Sequence, residues 1–260
     1  DWRAVMLKIK EIVRPQSLEE AYELNQKRTN RILGGMLWMR MSNIQIQKAI
    51  DLSGLGLDQI EETEEEFSIG CMVTLRELEL HEGLNNMCED LIRKSVEDIV
   101  GVQFRNLATI GGSLFGRFGF SDVLTAFLVL DTYVELYPGG VCPLAEFAAR
   151  KRENDILVRV IVKKTKGHYA YQSYRNTKTD FPVLAVALSQ TENGIKTAIG
   201  ARPQRAELRK AADLKDSTLK QLADSFTYGS NMRASGEYRK HLANVLLKRA
   251  ASEIQGKETV

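Results

Sequence analysis

The stretch that decides the interpretation of this chain is Arg105-Asn106-Leu107-Ala108-Thr109-Ile110-Gly111-Gly112-Ser113. Two adjacent glycines follow a short β-branched segment, and Ser121-Asp122 then opens an apolar, helix-like stretch. Glycine adopts positive φ without steric cost and has no Cβ to hold a ligand away. Successive N–H groups in such a turn make a concave anion-binding surface. The stretch therefore predicts a backbone that approaches a phosphate group.

Composition and charge narrow the classes of protein that the chain can belong to. Its 260 residues are 43% hydrophobic and 27% charged, and 36 basic against 34 acidic side chains leave a formal charge of +2. These values are typical of a soluble globular protein of one large or two smaller domains, with no indication of a nucleic-acid partner or a membrane surface. No apolar stretch reaches the ~20 residues of a membrane helix, and residues 1–4 do not resemble a signal peptide. We therefore expect a cytoplasmic protein.

The residues that usually carry metal or covalent chemistry are scattered. The three cysteines and three histidines are Cys71, Cys88, Cys142, His81, His168 and His241. This spacing fits neither a disulfide framework nor a metal site, so we expect buried thiols and no metal. There is also no G-x-S-x-G elbow and no P-loop. We predict no catalytic residue of the chain's own, and the chemistry would have to come from a bound cofactor.

The amino-terminal residues predict a strand, a helix and a second strand. Residues 5–13 have strand-like composition, and Ser17-Leu18-Glu19-Glu20 has the S-x-x-E form of a capping box that opens a helix through Leu24. A short strand at 31–33 then runs directly into Gly34-Gly35. Parallel units of this kind bind ligands at the ends of their strands. The glycine pair is therefore a second candidate for a binding loop.

The pattern of the remaining chain changes near Lys164. Before it, we predict strands at 49–52, 67–73, 133–137 and 156–164, and helices beginning at the capping box Thr74-Leu75-Arg76-Glu77 and spanning 88–100, 122–130 and 143–150. Beyond it, we predict strands at 169–174, 183–189 and 195–199, followed by helices of which the last spans 235–251, with a frayed tail at 255–260. The helix at 122–130 is apolar on most sides and is predicted to be buried.

Several motifs, taken in order, resemble those of one known family. They are Arg14-Pro15-Gln16-Ser17-Leu18-Glu19-Glu20-Ala21, Leu33-Gly34-Gly35, Thr109-Ile110-Gly111-Gly112-Ser113, Ser121-Asp122, Asp131 and Glu237-Tyr238-Arg239-Lys240-His241-Leu242. The chain resembles the FAD-binding subunit of molybdenum hydroxylases, the family of xanthine dehydrogenase and carbon monoxide dehydrogenase flavoproteins. The similarity covers nearly the whole length, with compatible spacing between the motifs.

The resemblance implies an α+β fold. An FAD-binding domain of two α/β subdomains would occupy residues 1–164, divided into about 1–53 and 54–164. A carboxy-terminal flavoprotein domain at 165–260 would contain a three-stranded antiparallel sheet and a helical bundle. The change of pattern near Lys164 independently suggests the same boundary.

The resemblance also implies a function and a set of partners. In relatives, a large molybdopterin-binding subunit hydroxylates the substrate, and iron-sulfur clusters on a small subunit carry the electrons. FAD on the subunit of this type collects them and passes them to NAD or another acceptor. Carried over by position, the FAD-binding residues would be Leu33, Gly34, Gly35, Met36, Leu37, Thr109, Gly111, Gly112, Ser113, Ser121 and Asp122.

Two departures from the family pattern leave alternatives open. Relatives carry a small polar residue where this chain has Met36-Leu37-Trp38, which is consistent with a flavin-free scaffold subunit of the same kind of complex. A further alternative is an unrelated two-domain binding module whose glycine pairs are coincidental. Relatives also have small residues, Asn or Pro where this chain has Phe115, Arg117, Phe118 and Phe120.

The side chains around these departures have two interpretations each. The phenylalanines would be either a lid over the flavin or packing against a neighbouring subunit. Arg117 would either pair with a phosphate or be a solvated loop cation. Arg175 or Lys178 would approach the flavin ring or the diphosphate, and Phe181 would either stack near the ring or enter the core.

Overall fold

The amino-terminal part of the chain forms a three-stranded parallel sheet. The computed structural model describes residues 6–258. Strands β1 (Lys8–Val13), β2 (Arg31–Leu33) and β3 (Gln45–Asp51) lie in the order β1-β3-β2, and helix α1 (Leu18–Asn25) connects the first two. The Oγ of Ser17 accepts a hydrogen bond from the Glu20 amide at 3.2 Å, which caps α1. The predicted strand-helix-strand unit is confirmed between residues 8 and 33; Val5 lies outside the described residues.

A five-stranded antiparallel sheet follows along the chain. Its order is β4-β5-β8-β6-β7, built from β4 (Ile60–Glu62), β5 (Glu66–Gly70), β6 (Asp131–Tyr137), β7 (Gly140–Pro143) and β8 (Ile156–Lys163). The strand predicted at 67–73 ends early, at Gly70, where the backbone meets residue 57 closely: a Cβ on Gly70 would lie 2.1 Å from the Leu57 carbonyl oxygen. The hairpin strand β7 was not predicted from the sequence.

Seven helices lie between residues 75 and 149, and the last three of them contact this sheet. They are α2 (Leu75–Leu80), α3 (Glu82–Met87), α4 (Leu91–Val96), α5 (Val102–Arg105), α6 (Ile110–Gly116), α7 (Asp122–Val129) and α8 (Leu144–Ala149). All eight residues of α7 are buried, as predicted. The helix predicted at 88–100 is shorter because Glu89, Asp90 and Val100 have positive φ angles of 51°, 63° and 51°, which interrupt a right-handed helix on both sides of α4.

The carboxy-terminal sheet has four antiparallel strands, which corrects the three-stranded sheet that the resemblance implies. The order is β12-β11-β10-β9, formed by β9 (Gly167–Arg175), β10 (Pro182–Thr191), β11 (Gly194–Gly200) and β12 (Glu207–Ala211). The additional strand has the sequence Glu-Leu-Arg-Lys-Ala, whose composition favours a helix. It is a strand because it pairs in register with 195–199 at the sheet edge, and this tertiary contact overrides local propensity.

Two helices pack on the four-stranded sheet, and α7 packs against both larger sheets. Helices α9 (Asp216–Ser225) and α10 (Gly236–Glu258) are carboxy-terminal, and α10 extends seven residues past the predicted end at Ala251. Residues 255–258, predicted to be frayed, are helical; 259 and 260 lie outside the described residues. Helix α7 contacts β10 and β11 of the four-stranded sheet and β6 of the five-stranded sheet. Within residues 6–258, no helix combines the length and the apolar character that a bilayer crossing requires.

All three cysteines are buried free thiols, as predicted. Burial raises the pKa of Cys71 and of Cys88 to about 12, so both remain protonated at neutral pH. A protonated thiol is a poor nucleophile and a poor metal ligand. In the described part of the chain, no three side chains of His, Cys, Asp or Glu are placed to share a metal ion.

Candidate cofactor-binding cleft

One large cleft lies where the loop after β2 faces the start of α6. Its volume is about 710 Å³, which is within the usual range of ligand pockets. The loop between β9 and β10, the segment between α6 and α7 and residues 152–157 also line it. The structure brings together in this cleft every residue that the sequence predicts for FAD binding: Leu33, Gly34, Gly35, Met36, Leu37, Thr109, Gly111, Gly112, Ser113, Ser121 and Asp122. Their contact with FAD itself stays a prediction.

The two glycine motifs are in direct contact with each other. A Cβ on Gly34 would lie 2.9 Å from Thr109 Oγ1, and a Cβ on Gly35 would lie only 1.9 Å from the Leu107 carbonyl oxygen. A Cβ on Gly111 would lie 2.6 Å from the Cys71 carbonyl oxygen. Gly35 and Gly111 are therefore required by the close approach of protein backbones. Gly112 is different, because it is exposed and its Cβ would meet only Thr109 Oγ1, at 3.2 Å.

This difference predicts opposite outcomes for two alanine variants. Gly35→Ala is expected to lower the free energy of unfolding by about 1–3 kcal/mol or more, because the new methyl group overlaps a backbone carbonyl that cannot easily move. Gly112→Ala is expected to change the free energy of unfolding by less than about 1 kcal/mol, since alanine forms helices better than glycine does. Urea denaturation of the cofactor-free chain measures both values. Equal stability of the two variants would contradict the contact between Gly35 and Leu107.

The first turn of α6 has no free amide to offer a phosphate, which corrects the expectation for the stretch 109–113. The amides of Ile110 and Gly111 donate to the carbonyl oxygens of Val73 and Cys71, both at 2.9 Å. The amide of Gly112 donates to Thr109 Oγ1 at 3.1 Å, and that of Ser113 to the Thr109 carbonyl at 3.0 Å. The helix start is satisfied by the protein itself. Of this motif, the Thr109 hydroxyl proton and the open face of Gly112 remain for a ligand.

Free amides are found in the loop after β2 instead. Within residues 6–258, the backbone N–H groups of Gly34, Gly35, Met36 and Leu37 donate to no protein acceptor. Met36 has a positive φ of 61°, a conformation that is uncommon for residues other than glycine. Successive unpaired amides in a turn of this kind form an anion-binding concavity. The observation fits a diphosphate, whose oxygens would satisfy these donors.

The side chains of Met36 and Leu37 explain the departure of this loop from the family pattern. Met36 packs on Leu33, Ile46 and Ala49, the small apolar cluster beneath the parallel sheet. Leu37 packs against the main hydrophobic core. Both side chains are therefore used for packing, while the backbone of the same residues keeps its donors free. The loss of a polar side chain here does not close the loop to an anion.

Trp38, the third residue of that departure, contacts two phenylalanines of the second departure from the family pattern. Its ring lies 6.4 Å from Phe118 and 5.6 Å from Phe120, between ring centroids. It also stacks on Phe181 at 5.4 Å and contacts Phe104 edge-on at 6.2 Å. We call Trp38, Phe104, Phe118, Phe120 and Phe181 the aromatic wall, because all five line the cleft. The sequence did not single out Phe104; the available signal was its position five residues before Thr109.

A buried ionic cluster lies beside the aromatic wall. Asp122 Oδ1 pairs with Arg175 Nη2 at 2.8 Å and accepts a hydrogen bond from the Tyr171 hydroxyl. Arg175 Nη1 donates to the carbonyl oxygen of Asp180 at 2.6 Å. Burial raises the pKa of Asp122, and the charge of Arg175 acts in the opposite direction. Asp122 therefore positions Arg175, and Tyr171 joins them although the sequence did not single it out.

Two further cations are placed differently from the sequence-based hypotheses. Arg117 is buried, donates to the Arg150 carbonyl at 2.8 Å and stacks over Phe147 at 4.1 Å from its centroid. It does not line the cleft, so neither the phosphate role nor the solvated loop cation is correct. The side chain of Lys178 is 82% exposed, and it too lies outside the lining. Of the two carboxy-terminal candidates, only Arg175 reaches the cleft.

The fold and the cleft define a mixed α/β protein with a glycine-lined site suited to a diphosphate-containing ligand. Residues 7–164, more than half of the chain, match the family described as the FAD binding domain in molybdopterin dehydrogenase. The chain belongs to this family, and its cofactor is FAD. The predicted family, the oxidoreductase class and the cofactor are thereby confirmed.

Whole-length comparisons agree with this family. The uncharacterized protein YgfM of Escherichia coli (strain K12) is 22% identical over 263 residues, covering 97% of this chain and 100% of that protein. The crystal structure of a cyanide-inactivated Cu,Mo-CO dehydrogenase is similar at 21% identity and a TM-score of 0.85, over 96% of this chain and 99% of that one. Quinoline 2-oxidoreductase from Pseudomonas putida 86 gives 21% identity and 0.80, over 95% and 97%. At these identities, the two structures show a shared fold.

Proposed function

We propose that this chain is the FAD-binding, electron-transferring subunit of a molybdenum-containing hydroxylase or dehydrogenase complex. It accepts electrons from iron-sulfur clusters on a small partner subunit and passes them to NAD or another acceptor. A large molybdopterin-binding subunit transforms the substrate. The observation that carries the proposal is the loop 34–37, whose four amides donate to no acceptor in the described chain. Gly34 of this loop approaches Thr109 and Gly112, and the loop lines a cleft of about 710 Å³ in a member of this family.

The chain's own residues hold and surround the cofactor. The amides of 34–37 would bind the diphosphate oxygens, and the Thr109 hydroxyl, which also lines the cleft, would be a further donor. Gly112 leaves room for the ligand because it has no side chain. FAD supplies the redox chemistry when bound, and the protein positions it and tunes its electronic properties. No side chain of this subunit acts as a nucleophile in the proposal.

The proposal also covers the division of the chain. An FAD-binding domain occupies residues 1–164, with subdomains at about 1–53 and 54–164, and a carboxy-terminal domain occupies 165–260. In support, the parallel sheet and the five-stranded sheet lie wholly before residue 164, and the four-stranded sheet lies wholly after it. Helix α7 from the first domain is buried against β10 and β11 of the second, so the two domains share a core.

The flavin-free scaffold is less well supported by the same residues. Its motivation is the segment Met36-Leu37-Trp38, which lacks the polar side chain that relatives carry. The side chains of Met36 and Leu37 pack in apolar clusters, and their amides remain unpaired. In a scaffold without a ligand, no group other than water would accept hydrogen bonds from these amides.

The complex is tested by isolating the tagged chain from its source cells under mild conditions. We expect a heteromeric assembly that contains FAD, iron and molybdenum, each in fixed proportion to this chain. Anaerobic addition of NADH to that assembly, followed by the visible flavin absorbance, then identifies or rejects NAD as the acceptor. An assembly that contains neither iron nor molybdenum would overturn the proposed function.

A further inference from the structure

We propose that Trp38, Phe120 and Phe181 form the stacking site for the isoalloxazine ring of FAD, so that aromatic contact replaces a polar contact in this subunit. The proposal rests on the proposed function, because it concerns the same cleft and the same cofactor. It concerns how the chain holds the redox-active half of FAD, and it assigns that role to residues from three separate segments.

The three rings are brought together by tertiary structure. Trp38 follows the free-amide loop, Phe120 lies between α6 and α7, and Phe181 lies between β9 and β10. Trp38 stacks on Phe181 with an interplanar angle of 28°, and Phe120 lies 4.4 Å from Phe181 between centroids. Phe118 extends the surface, stacked on Phe120 at 5.2 Å with an angle of 8°. Such offset and tilted arrangements are the favoured geometries of aromatic contact.

These rings are cleft lining rather than ordinary core. None of Trp38, Phe118, Phe120 and Phe181 belongs to the buried clusters of the described chain or to the side chains packed directly on them. Trp38 is 38% exposed, although a large aromatic side chain gains most from full burial. Trp38 is exposed and the three phenylalanines are half-buried, so together they provide a flat apolar surface for a planar ligand.

The surroundings of Phe181 favour isoalloxazine over adenine. The guanidinium of Arg233 lies 4.9 Å from the Phe181 centroid, and its Nη2 pairs with Asp180 at 3.1 Å. The isoalloxazine carries carbonyl and ring-nitrogen acceptors and becomes more electron-rich on reduction. Arg175 lines the cleft, and its positive charge beside the stack suits a ring that gains negative charge on reduction, which adenine does not.

The stacking site is tested by measuring dissociation constants of FAD and of ADP for the isolated chain. Trp38→Ala is expected to weaken FAD binding by roughly tenfold to a hundredfold, the usual effect of removing a stacking ring. Its affinity for ADP is expected to stay at the wild-type value, because ADP lacks the isoalloxazine. Trp38→Phe keeps a ring and should bind FAD nearly as tightly as the wild type. Flavin fluorescence, which aromatic stacking quenches, should be quenched less by Trp38→Ala.

The control variant is Met41→Ala, which changes a residue of the same segment that is 65% exposed and lies outside the wall. Thermal unfolding of all variants establishes that they fold. If the wild type binds FAD and Trp38→Ala binds it equally well with equal quenching, the stacking site is wrong while the proposed function stands. Equal losses for FAD and ADP would place adenine there and also overturn the proposal. No FAD binding by the wild type would overturn both.

Discussion

Asp122→Ala is expected to lower the free energy of unfolding of the cofactor-free chain by about 3–5 kcal/mol. The side chains of Asp122 and Arg175 are 4% and 6% exposed, so the variant leaves a buried guanidinium without its counter-charge. It also removes the acceptor of the Tyr171 hydroxyl. The loss of one partner of a buried pair is costly because the remaining charge is neither solvated nor compensated. Urea denaturation followed by circular dichroism measures the effect.

An exposed ion pair provides the matched control for this prediction. Asp216 pairs with Lys248 at 2.5 Å, but the Asp216 side chain is 78% exposed. Asp216→Ala is expected to change stability little, since solvent screens an exposed pair. If Asp122→Ala were as stable as Asp216→Ala, Asp122 would not be the buried support of Arg175 that the structure shows.

Arg105→Ala is expected to lower the free energy of unfolding about as much as Asp122→Ala does, by about 3–5 kcal/mol. Arg105 Nε pairs with Glu79 Oε2 at 2.7 Å, and Nη1 donates to the Ile99 carbonyl at 3.1 Å. These bonds anchor the segment before Leu107, on which the Gly35 backbone rests. Arg76 also pairs with Glu79, at 2.8 Å, but its side chain is 30% exposed. Arg76→Ala is therefore the control and should cost less than about 1 kcal/mol.

Acid titration gives this prediction a second readout. Burial alone would raise the pKa of Glu79, but hydrogen bonds and charge from Arg105 and Arg76 hold it below its ordinary 4.5. A carboxyl whose pKa is lowered by folding stabilises the fold above pH 4.5, and this contribution is lost as the pH falls through the lowered pKa. The stability difference between wild type and Arg105→Ala should narrow in that window. A difference that is constant with pH would contradict the assignment to Glu79.

The sequence was sufficient to locate the cleft but not to assign its donors. The order and spacing of the motifs predicted that Leu33-Gly34-Gly35 and the stretch 109–113 lie at one site. In the structure both line the same cleft. The amides of Ile110 and Gly111 are occupied because the carbonyls of Val73 and Cys71 lie opposite them, about 40 residues away in sequence. No local pattern reports such a contact. The direction of the Met36 side chain likewise depends on a positive φ and on a cluster formed by β3.

Tertiary pairing also explains the other differences. The chain departs from the family pattern at Met36-Leu37-Trp38 and at the phenylalanines around Arg117. These two segments are in contact, because Trp38 packs against Phe118 and Phe120. A single sequence does not reveal that two loops are neighbours. Strand β12 was missed for the same reason, since its residues acquire strand geometry only by pairing with β11.

The most direct test of the account is titration of the cofactor-free chain with FAD by calorimetry, for the wild type and for Gly112→Asp. We predict one FAD per wild-type chain. Gly112→Asp should fold, because an acidic residue is favourable in the first turn of a helix, and Gly112→Ala controls for added bulk. The new carboxylate would enter the cleft at the proposed diphosphate site and should weaken FAD binding by roughly tenfold or more, about 1.4 kcal/mol. A wild type that binds no FAD, or a folded Gly112→Asp variant that binds it equally tightly, would contradict the account.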